Sequence, residues 1–156
     1  PSRQLTKGVK DLVNTLIIHP ECFKSKELPE VLDLVWLDEV KRYVNELKTF
    51  YFEVEDTEYP NLILNLLNTK EFSTELKEII GSTLYNFQIR KPIEDSVVSK
   101  LLFDIKTNLN KDKLKLKREE LKTMQNNSTT LNEVHSILKE INKIQTKLEE
   151  IKLQKN

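Results

Sequence analysis

The sequence predicts an all-α protein: a compact helical bundle, then a long connecting helix and a C-terminal antiparallel helical hairpin. Three observations carry this. Apolar residues recur at three- and four-residue spacing along most of the chain. Residues 93–156 contain neither proline nor glycine, 64 positions without a strong helix breaker. The last aromatic residue is Phe103, so the final 53 positions have none. Large rings dominate globular cores. The core is therefore expected within residues 3–103, with residues 104–156 forming the rest of the long helix and the hairpin.

The elements follow in order. Leu5, Val9, Leu12, Val13, Leu16 and Ile17 fall on one helical face, and Pro20 stands just beyond, where a stop is expected. Trp36, Val40, Tyr43, Val44, Leu47 and Tyr51 repeat the pattern, which puts Trp36 on a core-facing stripe. Pro60 can open a third segment with Leu62, Ile63, Leu66 and Leu67. Phe72, Leu76, Ile79, Ile80, Leu84 and Phe87 make a fourth. Residues 50–54 alternate weakly, and a short strand there is the minor alternative.

Pro92 sits near the start of the long helix, and Glu94 and Asp95 suit the positive end of its dipole. Val97, Val98, Leu101, Leu102, Ile105, Leu109, Leu116, Leu121 and Met124 continue it over about 93–125. Asn126-Asn127-Ser128-Thr129-Thr130 breaks it. Thr130 and Glu133 then fit a capping box. Leu131, Val134, Leu138, Ile141, Ile144, Leu148 and Ile151 run close to a heptad on the last helix. A hairpin of two helices buries little by itself, so its outer apolar edge is expected to meet a partner.

Charge and composition exclude several function classes. The chain has 25 Lys+Arg and 25 Asp+Glu, so no global positive field draws it to nucleic acid. The balance is uneven: residues 1–90 carry a net −4 and residues 91–156 a net +4. Two glycines, Gly8 and Gly81, cannot build a phosphate cradle. One cysteine, Cys22, excludes an intrachain disulfide and a cysteine-based zinc site. No run reaches the roughly 18 apolar residues of a membrane span, and no signal peptide is visible. Pro1-Ser2 without an initiator Met reads as a tag-cleavage scar on an excised fragment.

Catalytic constellations are not apparent. His19 and His135 lie far apart, without metal-ligand spacing, and read as surface or cap histidines. Cys22 reads as a half-buried, inert thiol. Adjacent carboxylates such as Glu119-Glu120 point about 100° apart on a helix and do not converge on one reacting atom. Glu55-Asp56-Thr57-Glu58 reads as an acidic loop. The run Lys111, Lys113, Lys115, Lys117, Arg118 and Lys122 is the best nucleic-acid candidate, but it lacks interleaved aromatics for base stacking. A solvated helix face is the preferred reading, with no direct nucleic-acid binding.

Two stretches carry a family resemblance. Residues 9–21, VKDLVNTLIIHPE, form an apolar stripe that ends in a His-Pro-Glu step. Residues 93–97, IEDSV, through 118–121, REEL, form a long helix with an early Asp-Ser pair and a later Arg-Glu-Glu-Leu stretch. Together with the order of elements, they resemble the C-terminal helicase-binding domain of bacterial DnaG-type replicative primases. The resemblance spans essentially the whole chain, and the tail reads as that family's natural C-terminus. It implies a noncatalytic, cytoplasmic, replisome-associated domain that stimulates primer synthesis and unwinding. Its hairpin is expected to dock on the N-terminal domains of the hexameric replicative helicase. Zinc and magnesium belong to other parts of such a primase, and this segment binds neither.

The expected helicase anchors are Leu138, Ile141, Ile144, Leu148, Ile151 and Leu153, with Lys152 and Lys155 as rim charges. Arg3, Lys7 and Lys10 are the expected contacts for the acidic tail of a single-stranded DNA-binding protein. The same fold is similar to the N-terminal domain of the replicative helicase itself. That domain, or a helical nucleic-acid-binding adaptor, is the alternative reading.

Overall fold

The computed structural model describes residues 5–53, 61, 63–65, 68, 71–85 and 91–155, with backbone alone at 154 and 155. Six α-helices and one 3-10 helix account for most of them. They are α1 (Lys7–Ile18), the 3-10 helix (Pro20–Lys24), α2 (Leu28–Leu32), α3 (Asp38–Glu53), α4 (Thr74–Tyr85), α5 (Asp95–Asn127) and α6 (Leu131–Lys155). No strand occurs among the described residues, and the fold is all-α. Residues 50–53 are the last turn of α3, so the strand alternative fails wherever it is described; Val54 lies outside the described residues.

Helix α1 is the hub of the bundle. Val9, Leu12, Val13, Leu16 and Ile17 are all fully buried, as their spacing predicts. The helix stops where proline removes a donor: the His19 amide closes the last turn on Thr15 O at 2.7 Å, and Pro20 opens the 3-10 helix.

The N-terminus of α1 is capped from across the molecule. Thr6 supplies no side-chain cap. Instead Asp112 Oδ2 accepts the Gly8 N–H at 2.8 Å, satisfying a donor that has no partner within the helix. A Cβ at Gly8 would lie 2.8 Å from that carboxylate oxygen and 2.9 Å from the Leu109 backbone nitrogen. Glycine therefore permits a close approach of α1 to α5. Two further polar ties hold α1 in place. Asn108 Nδ2 donates to Asp11 Oδ2 at 3.2 Å, and the Thr83 hydroxyl of α4 donates to Asn14 Oδ1.

Other polar contacts join segments distant in sequence. Glu39 on α3 accepts from the Ser73 amide at 2.9 Å and hydroxyl at 2.6 Å, while Ser73 Oγ accepts the Leu76 amide and so caps α4. Glu21, the last residue of the His-Pro-Glu step, accepts the Ile93 amide at 3.1 Å and faces His19 Nδ1 at 3.4 Å. That step therefore steers the chain into α5. Tyr43 and Phe72 meet edge to face, with centroids 5.6 Å apart.

Helix α5 spans 33 residues and serves two apolar clusters. Val98, Leu102, Ile105 and Leu109 enter the bundle core, which therefore continues past Phe103. Leu121 enters a second cluster with Ile137, Ile141, Ile144 and Leu148 of α6. The helix runs through Asn126 and Asn127, so the break is shorter than the polar run predicts, at residues 128–130. Thr130 Oγ1 accepts the Glu133 amide at 3.3 Å, the first half of the expected capping box. Trp36 differs from expectation. It precedes α3 and packs half-buried against the core edge. Pro60, Leu62, Leu66, Leu67, Phe87 and the acidic run 55–58 lie outside the described residues.

Gly8→Ala should cost stability even though alanine is the better helix former. Its methyl must push α5 backbone aside, so a loss of about 1–3 kcal/mol is expected. A thermal melt with no drop in Tm would contradict the close approach.

Candidate docking surface on the hairpin

The hairpin has two kinds of apolar residue, and its own packing separates them. Ile137, Ile141, Ile144 and Leu148 lie at 4-3-4 spacing on α6, each under a tenth exposed, and face α5. Leu121 and the partly buried Leu114 complete the seam from the α5 side. Arg118 Nη1 reaches across to Gln145 Oε1 at 2.9 Å. The apolar residues left outside are Met124 on α5, and Leu131, Leu138 and Leu153 on α6; Leu131 is 71% and Leu153 73% exposed.

The expected anchor set divides along this line. Ile141, Ile144 and Leu148 are in the seam and hold the hairpin together, so they are not an outer edge. Ile151 is half-buried, and Leu138, Lys152 and Leu153 are exposed. The side chain of Lys155 lies outside the described residues. Two residues were missed. Ile137 is in the seam, and its 4-3-4 relation to Ile141, Ile144 and Leu148 was available in the sequence. In the sequence Met124 only continues the long helix; the fold brings it to the hairpin tip. There a recess of about 440 Å³ is lined by Thr123, Met124, Asn127, Ser136 and Ile137.

Of the three expected acidic-tail contacts, Lys7 and Lys10 lie among the described residues. Lys10 borders a cavity between α1 and α4 that also holds Glu75 and Glu78, so a carboxylate-rich tail would meet more negative than positive charge there. Lys7 is exposed, and Arg3 lies outside the described residues. The lysine run on α5 is also divided. Lys122 pairs with Glu119 at 3.7 Å and Arg118 turns to α6, while Lys113 and Lys117 border a groove with Trp36.

Among the described residues, no three or more His, Cys, Asp or Glu side chains gather as a metal would require. No described helix is long and apolar enough to cross a membrane. Cys22 is fully buried, and burial, with Glu21 adding to it, pushes its thiol from 9.0 up to about 12. A thiol held neutral is a poor nucleophile. Comparison with known protein families, characterised proteins and solved structures finds no match.

Two outcomes follow from this geometry. Ile144→Asp with Leu148→Asp should open the hairpin, at about 3 kcal/mol per buried charge, while the bundle stays folded. Hydrogen exchange should then show residues 137–148 unprotected and residues 9–17 protected; loss of protection in both would mean that the clusters fold as one. The second outcome concerns pH. The Cys22 thiol keeps its proton longer when folded, so the unfolded chain ionises first and stability falls as pH rises from about 9 toward 12. The urea midpoint of the natural chain should drop more steeply over that range than that of Cys22→Val.

Proposed function

We propose that this chain is the noncatalytic helicase-docking domain of a bacterial DnaG-type primase. In this role it brings the primase to the hexameric replicative helicase, so that primers are laid where the duplex is unwound. The observation that carries the reading is the order of elements together with the division of the hairpin. One continuous helix leaves the bundle and ends in a small two-helix unit whose own seam is closed. The seam leaves Met124, Leu131 and Leu138 exposed around the tip. Isolated apolar side chains on a surface are ordinary, but several around one projecting tip suit helix-in-groove recognition. The bundle positions this tip and holds the stalk through the Asp112 and Glu21 contacts.

The test is a titration of the chain against the replicative helicase from the same source, with a single-stranded DNA oligomer in parallel. Saturable binding to the helicase, with none to the oligomer, is expected. Binding to the oligomer alone would favour a nucleic-acid adaptor and overturn the proposal. Leu131→Asp with Leu138→Asp should weaken helicase binding at least tenfold, about 1.4 kcal/mol or more, with helicity unchanged. Undiminished binding by this variant would move the contact away from the tip.

A further inference from the structure

We infer that the face of α5 beside Trp36 is a self-pairing surface, on which the hairpin of a second copy packs antiparallel. The inference is independent of the docking proposal. A groove of about 620 Å³ runs along the distal half of α5, lined by Trp36, Lys113, Leu116, Lys117, Glu120 and Thr123. These α5 positions fall at 3-1-3-3 spacing along about 15 Å of one face, with Leu114 and Glu119 lining its two flanks. Trp36 lines it from the bundle, and its indole N–H is buried without an acceptor. Thr123 also lines the recess at the tip, which includes Met124 and Glu133. A single face of the hairpin is therefore recessed from Trp36 to the tip.

Charge along this face is ordered. Lys113 and Lys117 lie on the bundle side; Glu120, then Glu133, lie toward the tip, and Glu119 beside them is paired with Lys122 and Arg118 of its own chain. Lys113, Lys117 and Glu120 make no salt bridge among the described residues, and all three are exposed. A positive-to-negative order along one line is complementary to its own reverse. A twofold axis near Arg118 sets the lysines of one copy over the glutamates of the other. It also brings each Trp36 to the Thr123–Met124 end of its partner. A parallel copy would set like charges together. The antiparallel arrangement uses the same patch on both copies, so it closes as a dimer and does not propagate.

Three helical turns make a contact below the roughly 800 Å² per partner of a standard interface. The dimer should therefore be weak, with Kd on the order of 10–1,000 μM. Sedimentation equilibrium of the full chain should show the average mass rising from 18.4 kDa toward twice that over this range. The emission of Trp36, the one tryptophan of the chain, should shift with the same midpoint. Lys113→Glu with Lys117→Glu should remain monomeric, as should Glu119→Lys with Glu120→Lys. An equimolar mixture of the two variants should dimerise again. All four positions are exposed, and circular dichroism checks that each variant is folded. A mass fixed at 18.4 kDa up to about 1 mM would overturn the inference. So would dimers that persist in the separate charge variants, as exchange of hairpins through the Ile141–Ile144 seam would give. Failure of the mixture to pair would overturn it equally.

Discussion

The fold depends on how closely α1 approaches α5. Two helices meet at backbone distance over position 8, where any side chain would strike the Leu109 nitrogen. The approach brings Asp112 within reach of an amide that α1 cannot satisfy for itself. An anionic oxygen at a helix N-terminus has both a donor and a favourable dipole to meet. The apolar contacts of Val9, Leu12, Leu102 and Leu109 then close around the same line. Hydrophobic burial drives the association, but it has no direction. The hydrogen bond and the missing Cβ give the two helices one register.

The polar ties of the bundle have a common pattern. Asp112 caps α1, Ser73 caps α4 while Glu39 holds Ser73, and Glu21 receives the Ile93 amide just before α5. Asp112, Glu39 and Glu21 each hold a group near the beginning of a helix from a distant part of the chain, while the Ser73–Leu76 cap itself is local. The helix ends are thus fixed by tertiary structure, and isolated segments would lack these partners. The hairpin's N-terminal cap, from Thr130 to Glu133, is local like that of α4, and its seam needs only α5 and α6.

The order of elements was legible because glycine and proline are scarce, so the few breakers mark real boundaries. Periodicity alone identified the buried face of α1. The end of α5 was blurred because asparagine tolerates a helix C-terminus as well as a turn. On α6 two stripes share Ile141, Ile144 and Leu148 and differ at Val134 and Leu138 against Ile137. Only the position of Leu121 on the facing helix selects between them, and a single-helix pattern does not contain that information. Trp36 was misplaced because its spacing to Val40 extends the α3 stripe, although the helix begins at Asp38. The Trp36 groove and the Gly8 contact join residues roughly eighty to a hundred positions apart, with no local signal at either end.

The length of α5 beyond the bundle gives that single helix a mechanical role. Leu109 is its last residue in the bundle cluster, and Asn127 is its last helical residue. At 1.5 Å per residue, the hairpin tip stands about 27 Å from Leu109, the last α5 residue in the bundle core. A tilt of about 10° at the base would then carry the tip about 5 Å sideways, roughly a helix radius. The Asp112–Gly8 and Asn108–Asp11 bonds sit at the fulcrum of this lever, where small errors are multiplied most. Two modest hydrogen bonds therefore set the aim of a surface they never touch.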